Sequence, residues 1–126
     1  MNVVDSSGWI EYFIDTANAH NFAPAIEKPA LLIVPCLGFF EVHRYLSRNA
    51  DDDQRDKCLD VMRRGTVIEL TTARAIAASN IAHQYKLAMA DAVMYSIALE
   101  FNATFWTQDI DYKDLPRVSF HAKTGT

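Results

Sequence analysis

Asn2-Val3-Val4-Asp5-Ser6-Ser7-Gly8 opens the chain with residues that suit a short buried strand running into a turn. Ser6 or Ser7 stands where it can cap a helix through Trp9-Ile10-Glu11-Tyr12-Phe13. The same alternation continues downstream. Helical spacing covers Ala17 to Lys28, with Pro24 marking an early position or a break, and Pro29 ends it. Leu31-Leu32-Ile33-Val34 is an unbroken apolar run with a proline after it, which predicts a fully buried strand. Leu37 to Arg48 is spaced as a helix, and Asp51-Asp52-Asp53 heads another from Gln54 to Arg64. Acids suit the positive end of a helix dipole and Arg63-Arg64 its negative end, and Gly65 stops the segment.

Thr66-Val67-Ile68-Glu69-Leu70 predicts a third strand. Thr71 to Asn102 contains no Gly or Pro and is read as two helices broken near Leu87 to Ala90. Thr104-Phe105-Trp106-Thr107 is a fourth strand, a turn or short helix spans Asp109 to Leu115, and Arg117-Val118-Ser119-Phe120 is a fifth strand. The polar tail Lys123-Thr124-Gly125-Thr126 is expected to fray. Short apolar strands alternating with helices imply parallel strands joined by helical crossovers. The expectation is therefore an α/β fold: one domain over residues 1–126, with three α/β/α layers and a mostly parallel sheet of four or five strands. In such sheets, sites collect outside the carboxyl ends of the strands.

Half of the 126 residues are hydrophobic and 22% are charged, the balance of an ordinary globular protein with one real core. The net charge of −4 and the pI near 5.4 argue against a passive nucleic-acid binder, which would be basic. An acidic balance is compatible with nucleic acid when the acids surround a bound cation, which reverses the local field. Cys36 and Cys58 are read as free small hydrophobes in a reducing cytoplasmic compartment. The first residues carry no basic segment ahead of an apolar one, so no signal peptide is expected, and no apolar run approaches the roughly 20 residues of a membrane span. His20, His43, His83 and His121 show no ligand spacing, and the four glycines form no phosphate loop.

Four acids stand out. Asp5 follows the first strand directly, where it serves equally as a turn or capping residue. Glu41 has Leu37 and Tyr45 one helical turn away and Phe40 beside it. It either pairs with Arg44 at the surface or points into a cleft. Asp91 begins the nearly all-apolar segment Met89 to Leu99, a core helix by composition, so it is either its N-cap or something less ordinary. Asp109 lies two residues past the fourth strand, with Asp111 beyond it facing solvent. Carboxylates gathered together repel unless a cation sits among them, and all-oxygen ligands suit Mg²⁺ or Mn²⁺.

Val3-Val4-Asp5-Ser6-Ser7-Gly8-Trp9-Ile10-Glu11-Tyr12-Phe13, Phe39-Phe40-Glu41-Val42, Met89-Ala90-Asp91-Ala92 and Ala103-Thr104-Phe105-Trp106-Thr107-Gln108-Asp109-Ile110-Asp111-Tyr112 together resemble the PIN-domain proteins, in particular VapC-type toxins of toxin–antitoxin pairs. The four motifs match in order and spacing over essentially the whole chain. Gln108 departs from the basic residue or glycine often found there, and Leu87-Ala88-Met89 before Asp91 is less typical than a Leu-x-x-Asp with a turn. The resemblance implies a doubly wound parallel sheet and a Mg²⁺- or Mn²⁺-dependent endoribonuclease. It also implies a homodimer that is neutralised by a cognate antitoxin protein.

On that basis Asp5, Glu41, Asp91 and Asp109 are the candidate catalytic residues. Asp5 and Asp91 are the primary metal ligands, Asp109 holds a second ion or a water, and Glu41 orients or deprotonates the attacking water or shares the ion. Thr107 is expected to hydrogen-bond a neighbouring carboxylate. Arg44, Arg48, Arg74, Lys86, Lys113 and Arg117 are candidates for contacting RNA, and Trp9, Tyr12 and Tyr112 for stacking on its bases. A homodimer would use apolar surface between Trp9 and Lys28 and from Glu69 to Tyr85. Two other readings share the fold class. A metal-dependent phosphatase of the haloacid-dehalogenase type needs a second Asp where Ser7 stands, and a receiver domain needs an acidic pair and a late lysine that are not evident. A catalytically silent PIN-like binding module is the non-enzymatic alternative.

Overall fold

A computed structural model of the chain describes residues 1–123; the last three residues of the polar tail expected to fray lie outside them. Among the described residues, five short strands are all parallel: β1 (Asn2–Val4), β2 (Ile33–Pro35), β3 (Thr66–Ile68), β4 (Thr104–Thr107) and β5 (Val118–Phe120). β1, β4 and β5 pair in that order, β2 pairs with β3, and a bridge between Asn2 and Leu32 joins the two groups. The spatial order is thus β3-β2-β1-β4-β5. The chain winds outward to one side of β1 and then to the other.

Among the described residues, six helices make the crossovers: α1 (Ser6–Ile14), α2 (Ala19–Ile26), α3 (Cys36–Asn49), α4 (Asp52–Met62), α5 (Thr72–Tyr85) and α6 (Met89–Glu100). Successive strand residues point to opposite faces, and that alternation divides the core in two. Val3, Ile33 and Phe105 face a cluster built with α5 and α6, including Val93, Met94, Tyr95 and Ile97. Val4, Leu32 and Val34 face another with Trp9, Phe22, Val42, Leu46 and Met62 from α1 to α4. Helices therefore cover both faces of one parallel sheet, the α/β/α arrangement that the alternation of elements predicts.

Local chemistry sets the boundaries. Asp51 caps α4 by accepting from the Gln54 amide, and Thr71 caps α5 by accepting from the Arg74 amide. The break expected near Leu87 falls at Lys86, whose φ of 57° ends α5 in the left-handed region. Pro24 is the sixth of the eight residues of α2, so it marks neither an early position nor a break. Leu31 differs from expectation. Pro29 bends the chain into a 3-10 turn, Pro29–Leu31, so Leu31 is exposed and the strand starts at Ile33. Glu69 and Leu70 likewise lie beyond β3. Cys36 and Cys58 are both free and half-buried. Among the described residues, no helix is long and apolar enough to cross a membrane.

Candidate active site

Because the winding reverses at β1, the loops leaving β1 and β4 diverge and open a crevice beyond the strand ends. Asp5 leaves β1 there, and its amide donates to the Trp106 carbonyl at 2.9 Å. Its carboxylate is almost entirely buried. Oδ1 accepts from the Ser6 amide at 2.8 Å, and Oδ2 accepts from the hydroxyls of Ser7 at 3.1 Å and Thr107 at 2.9 Å. Asp5, and not Ser6 or Ser7, is thus the N-cap of α1. Three of about four lone-pair positions are used, which leaves one free. Burial pushes the Asp5 carboxyl up to about 7; the two hydroxyls oppose this, and the charges of Asp91 and Glu41 add to it.

Glu41 is half-buried on α3, and its Oε1 accepts from the Ser6 hydroxyl at 2.7 Å. The ordinary pairing with Arg44 does not form; among the described residues Glu41 makes no ion pair. Asp91 stands in the first turn of α6, but the capping position belongs to Ala88, and no side chain caps the helix. Capping therefore does not explain Asp91. Burial raises its carboxyl, and Asp109, Glu41 and Asp111 raise it further. The Tyr112 hydroxyl, which donates to the Asp91 backbone carbonyl at 3.2 Å, lies close enough to act in the opposite sense.

Asp109 follows β4. Its amide donates to Thr107 Oγ1 at 2.9 Å, and its Oδ1 accepts from the Asp111 amide at 2.9 Å, which closes the 3-10 turn Ile110–Tyr112. Thr107 is fully buried, and its one hydroxyl joins the Asp5 carboxylate to the Asp109 backbone. Carboxylate oxygens of Asp91, Asp109 and Asp111 lie within 4.8 Å of one another. Asp111 is exposed, as its position predicts, yet its carboxylate belongs to this group.

Sequence reasoning passed over a second polar network behind the site. Glu11 is buried on α1 and accepts from the hydroxyl of Thr16 and, at 3.3 Å, from Nε2 of Gln108; Lys123 approaches it at 3.7 Å. Asn18, also buried, donates to Oε1 of Gln108 at 2.9 Å. Gln108 lies between Thr107 and Asp109, so both of its amide ends are held while its neighbours face the acids. Glu11 amid Trp9, Ile10, Tyr12 and Phe13 is the signal that marks this network in the sequence.

Trp9 and Tyr112 cannot stack on bases, contrary to expectation. Trp9 lies in the core against Phe13, and Tyr112 packs on Phe105 and Tyr95. Each ring gains more from full burial in the core than from exposure to a base. Tyr12 is half-buried and donates to Glu27 at 2.8 Å. Two of the basic candidates are committed elsewhere: Arg74 forks onto Glu100 with two 2.9 Å bonds, and Arg117 binds the carbonyls of Ala103 and Asn102. Lys113 lies over the Phe120 ring. Arg44 and Arg48 are exposed and line a hollow with Ser6, Ser7 and Glu41.

Comparison with known proteins gives a consistent result. The family model described as "PIN domain" matches residues 3–118. Comparison with curated protein sequences finds no significant match. Among solved structures, a toxin–antitoxin complex from Klebsiella pneumoniae is similar with a TM-score of 0.81 at 18% identity, over 94% of this chain and 96% of that one. VapBC2 from Rickettsia felis, bound to a DNA fragment from their promoter, has a TM-score of 0.73 at 15% identity, over 96% and 97%. The sarcin–ricin loop cleaving toxin VapC20 from Mycobacterium tuberculosis has a TM-score of 0.76 at 14% identity, over 92% and 95%. At these identities the likeness is one of fold.

Proposed function

The chain belongs to the PIN domain family, and from that premise we propose that it is a divalent-metal-dependent endoribonuclease that hydrolyses RNA phosphodiester bonds. The reading rests on one observation: five carboxylates from four separate elements converge at the β1/β4 crevice. Among the described residues none of the five makes an ion pair with Lys or Arg. Burial and the charges of Asp91 and Glu41 raise the Asp5 carboxyl, and burial and the charges of Asp109, Glu41 and Asp111 raise that of Asp91. An all-oxygen donor set under that repulsion fits Mg²⁺ or Mn²⁺. Such an ion, when bound, relieves the charge that builds on the phosphate oxygens in the transition state.

Asp5 and Asp91 would hold the ion, and Asp109 a second ion or a water. Asp111 adds a carboxylate to the rim. Glu41 orients or deprotonates the attacking water, and the Ser6 hydroxyl fixes one of its oxygens. Thr107 keeps Asp5 and Asp109 in mutual register, because one hydroxyl serves both.

The chain further acts, in this reading, as the toxin of a VapBC-type pair: one domain over residues 1–126, cytoplasmic, and neutralised by a cognate antitoxin protein. Its likeness in fold to a toxin–antitoxin complex and to a toxin described as cleaving the sarcin–ricin loop supports this. A homodimer is supported by exposed Leu70 and Met89, which line an apolar hollow of about 420 Å³ beside α5 and α6, and by exposed Ile76 on α5. The apolar residues Trp9, Phe22 and Ile26 of the first expected surface are buried instead.

Incubation of the protein with labelled RNA in Mg²⁺, in Mn²⁺ and in EDTA tests the reading. Internal cleavage is expected with either ion and none in EDTA. Cleavage that survives chelation, or no cleavage with any divalent ion, overturns it.

A further inference from the structure

We propose that Phe40, Arg44 and Arg48 of α3 form the track that carries single-stranded RNA to the acid site, an inference that rests on the ribonuclease reading above. Four-residue spacing puts the three side chains in one row along one face of the helix. The opposite side of α3 is occupied, since Gly38, Val42 and Leu46 are buried in the core. Phe40 is 61% exposed, and core packing gives no reason for an aromatic there.

The row is the wall shared by two hollows. One, of about 420 Å³, opens on Ser6, Ser7 and Glu41. The other, of about 820 Å³, runs between α3 and α4 over Phe39, Leu59 and Val67. Phe40, Arg44 and Arg48 line both. A chain lying in the larger hollow must therefore cross this row to bring a phosphate to Glu41.

Charge points to the same occupant. Arg55, Arg63 and Arg74 each hold a carboxylate, whereas among the described residues neither Arg44 nor Arg48 makes an ion pair. On a chain of net charge −4, two uncommitted guanidiniums give a polyanion a favourable local field that offsets the repulsion of the neighbouring acids. Glu69 is the one carboxylate lining the larger hollow. An exposed ring between two such hollows receives an unpaired base of any identity, while the bases of a duplex are stacked inside and cannot reach it. An acidic peptide would meet the same arginines, but it has no flat base for Phe40 and no phosphate to deliver past Glu41.

The test compares steady-state cleavage of a labelled single-stranded RNA in Mg²⁺ by the wild-type protein, Phe40→Ala, the double variant Arg44→Ala/Arg48→Ala, and the control Lys28→Ala. Phe40→Ala is expected to raise KM roughly 5- to 150-fold, the loss of one stacked base, with kcat within about twofold. Each phosphate contact contributes about −0.7 to the salt slope on a single strand, so between 50 and 200 mM salt the wild-type kcat/KM should fall about sevenfold further than that of the double variant. Lys28→Ala should match the wild type. Wild-type cleavage with unchanged KM and salt slope in all variants overturns the track and leaves the ribonuclease reading standing. No wild-type cleavage overturns both. A double variant that cuts RNA normally but no longer binds a labelled acidic peptide shows a protein-docking face, and the proposal is again overturned.

Discussion

Replacing Asp5 by asparagine removes a charge from the buried crevice and leaves its shape unchanged. Asn is as good an N-cap as Asp, so Oδ1 still accepts from the Ser6 amide, and Nδ2 donates to the Ser7 and Thr107 hydroxyl oxygens once these rotate. The variant copies the protonated form of Asp5. Burial raises that carboxyl from 3.8 to about 7, so the folded chain binds the proton more tightly than the unfolded one. The resulting stabilisation is fully present below pH 3.8 and is lost as pH rises through 7. A rise of that size corresponds to about 4 kcal/mol, a large part of the roughly 5–15 kcal/mol that holds a domain folded. Denaturant unfolding in EDTA should therefore find Asp5→Asn more stable than wild type by up to about 4 kcal/mol at pH 8. The advantage should be less than half of that at pH 5, and the two should converge near pH 3. Saturating Mg²⁺ should reverse the order, because only the wild type gains from a cation. If Asp5→Asn is the less stable protein at pH 8 in EDTA, the hydrogen bonds to the carboxylate outweigh its desolvation and the electrostatic argument is wrong.

Asp91→Asn should abolish metal-dependent RNA cleavage with an unchanged circular dichroism spectrum, since Asp91 caps nothing; retained cleavage would remove it from the site. In Gly8→Ala the new Cβ would stand 2.7 Å from the Phe22 ring and 2.8 Å from Val4 Cγ1, and the overpacking should cost about 1–3 kcal/mol in urea unfolding. Light scattering should find a dimer, with an interface on the order of 1,200 Å² or more, and Ile76→Asp, a change at a 62% exposed position, should convert it to a monomer. A wild-type monomer at all concentrations would refute that surface.

Much of the architecture was legible in the residues themselves. Val3-Val4 and Thr104 to Thr107 carry strand character in a run of a few residues, and the Gly- and Pro-free stretch from Thr71 to Asn102 carries two helices with a break at Lys86. Such signals are local: apolar periodicity, caps and prolines act over at most a turn or two. The parallel sheet follows from their alternation, because a helix between two strands returns the chain to the same end. Asp5, Glu41, Asp91 and Asp109 could be singled out in the same way, as acids in apolar company or at strand ends.

What each acid does was not legible. Ser6 and Asp5 are both plausible caps on local grounds; Asp5 takes the position because Trp106, a hundred residues away, fixes its backbone, and Thr107 its carboxylate. Asp91 reads as a cap until the helix is seen to begin at Met89. Asp111 joins the acids only because the turn after β4 folds back toward α6. Tyr112 is in the core, and not on the surface, for the same reason. The network of Glu11, Asn18 and Gln108 is likewise invisible until α1 meets the end of β4. Periodicity states which side of an element is apolar. Burial, proton affinity and the partners of a carboxylate depend on what the remaining chain places against that side, and only closing the sheet at β1 and β4 decides that.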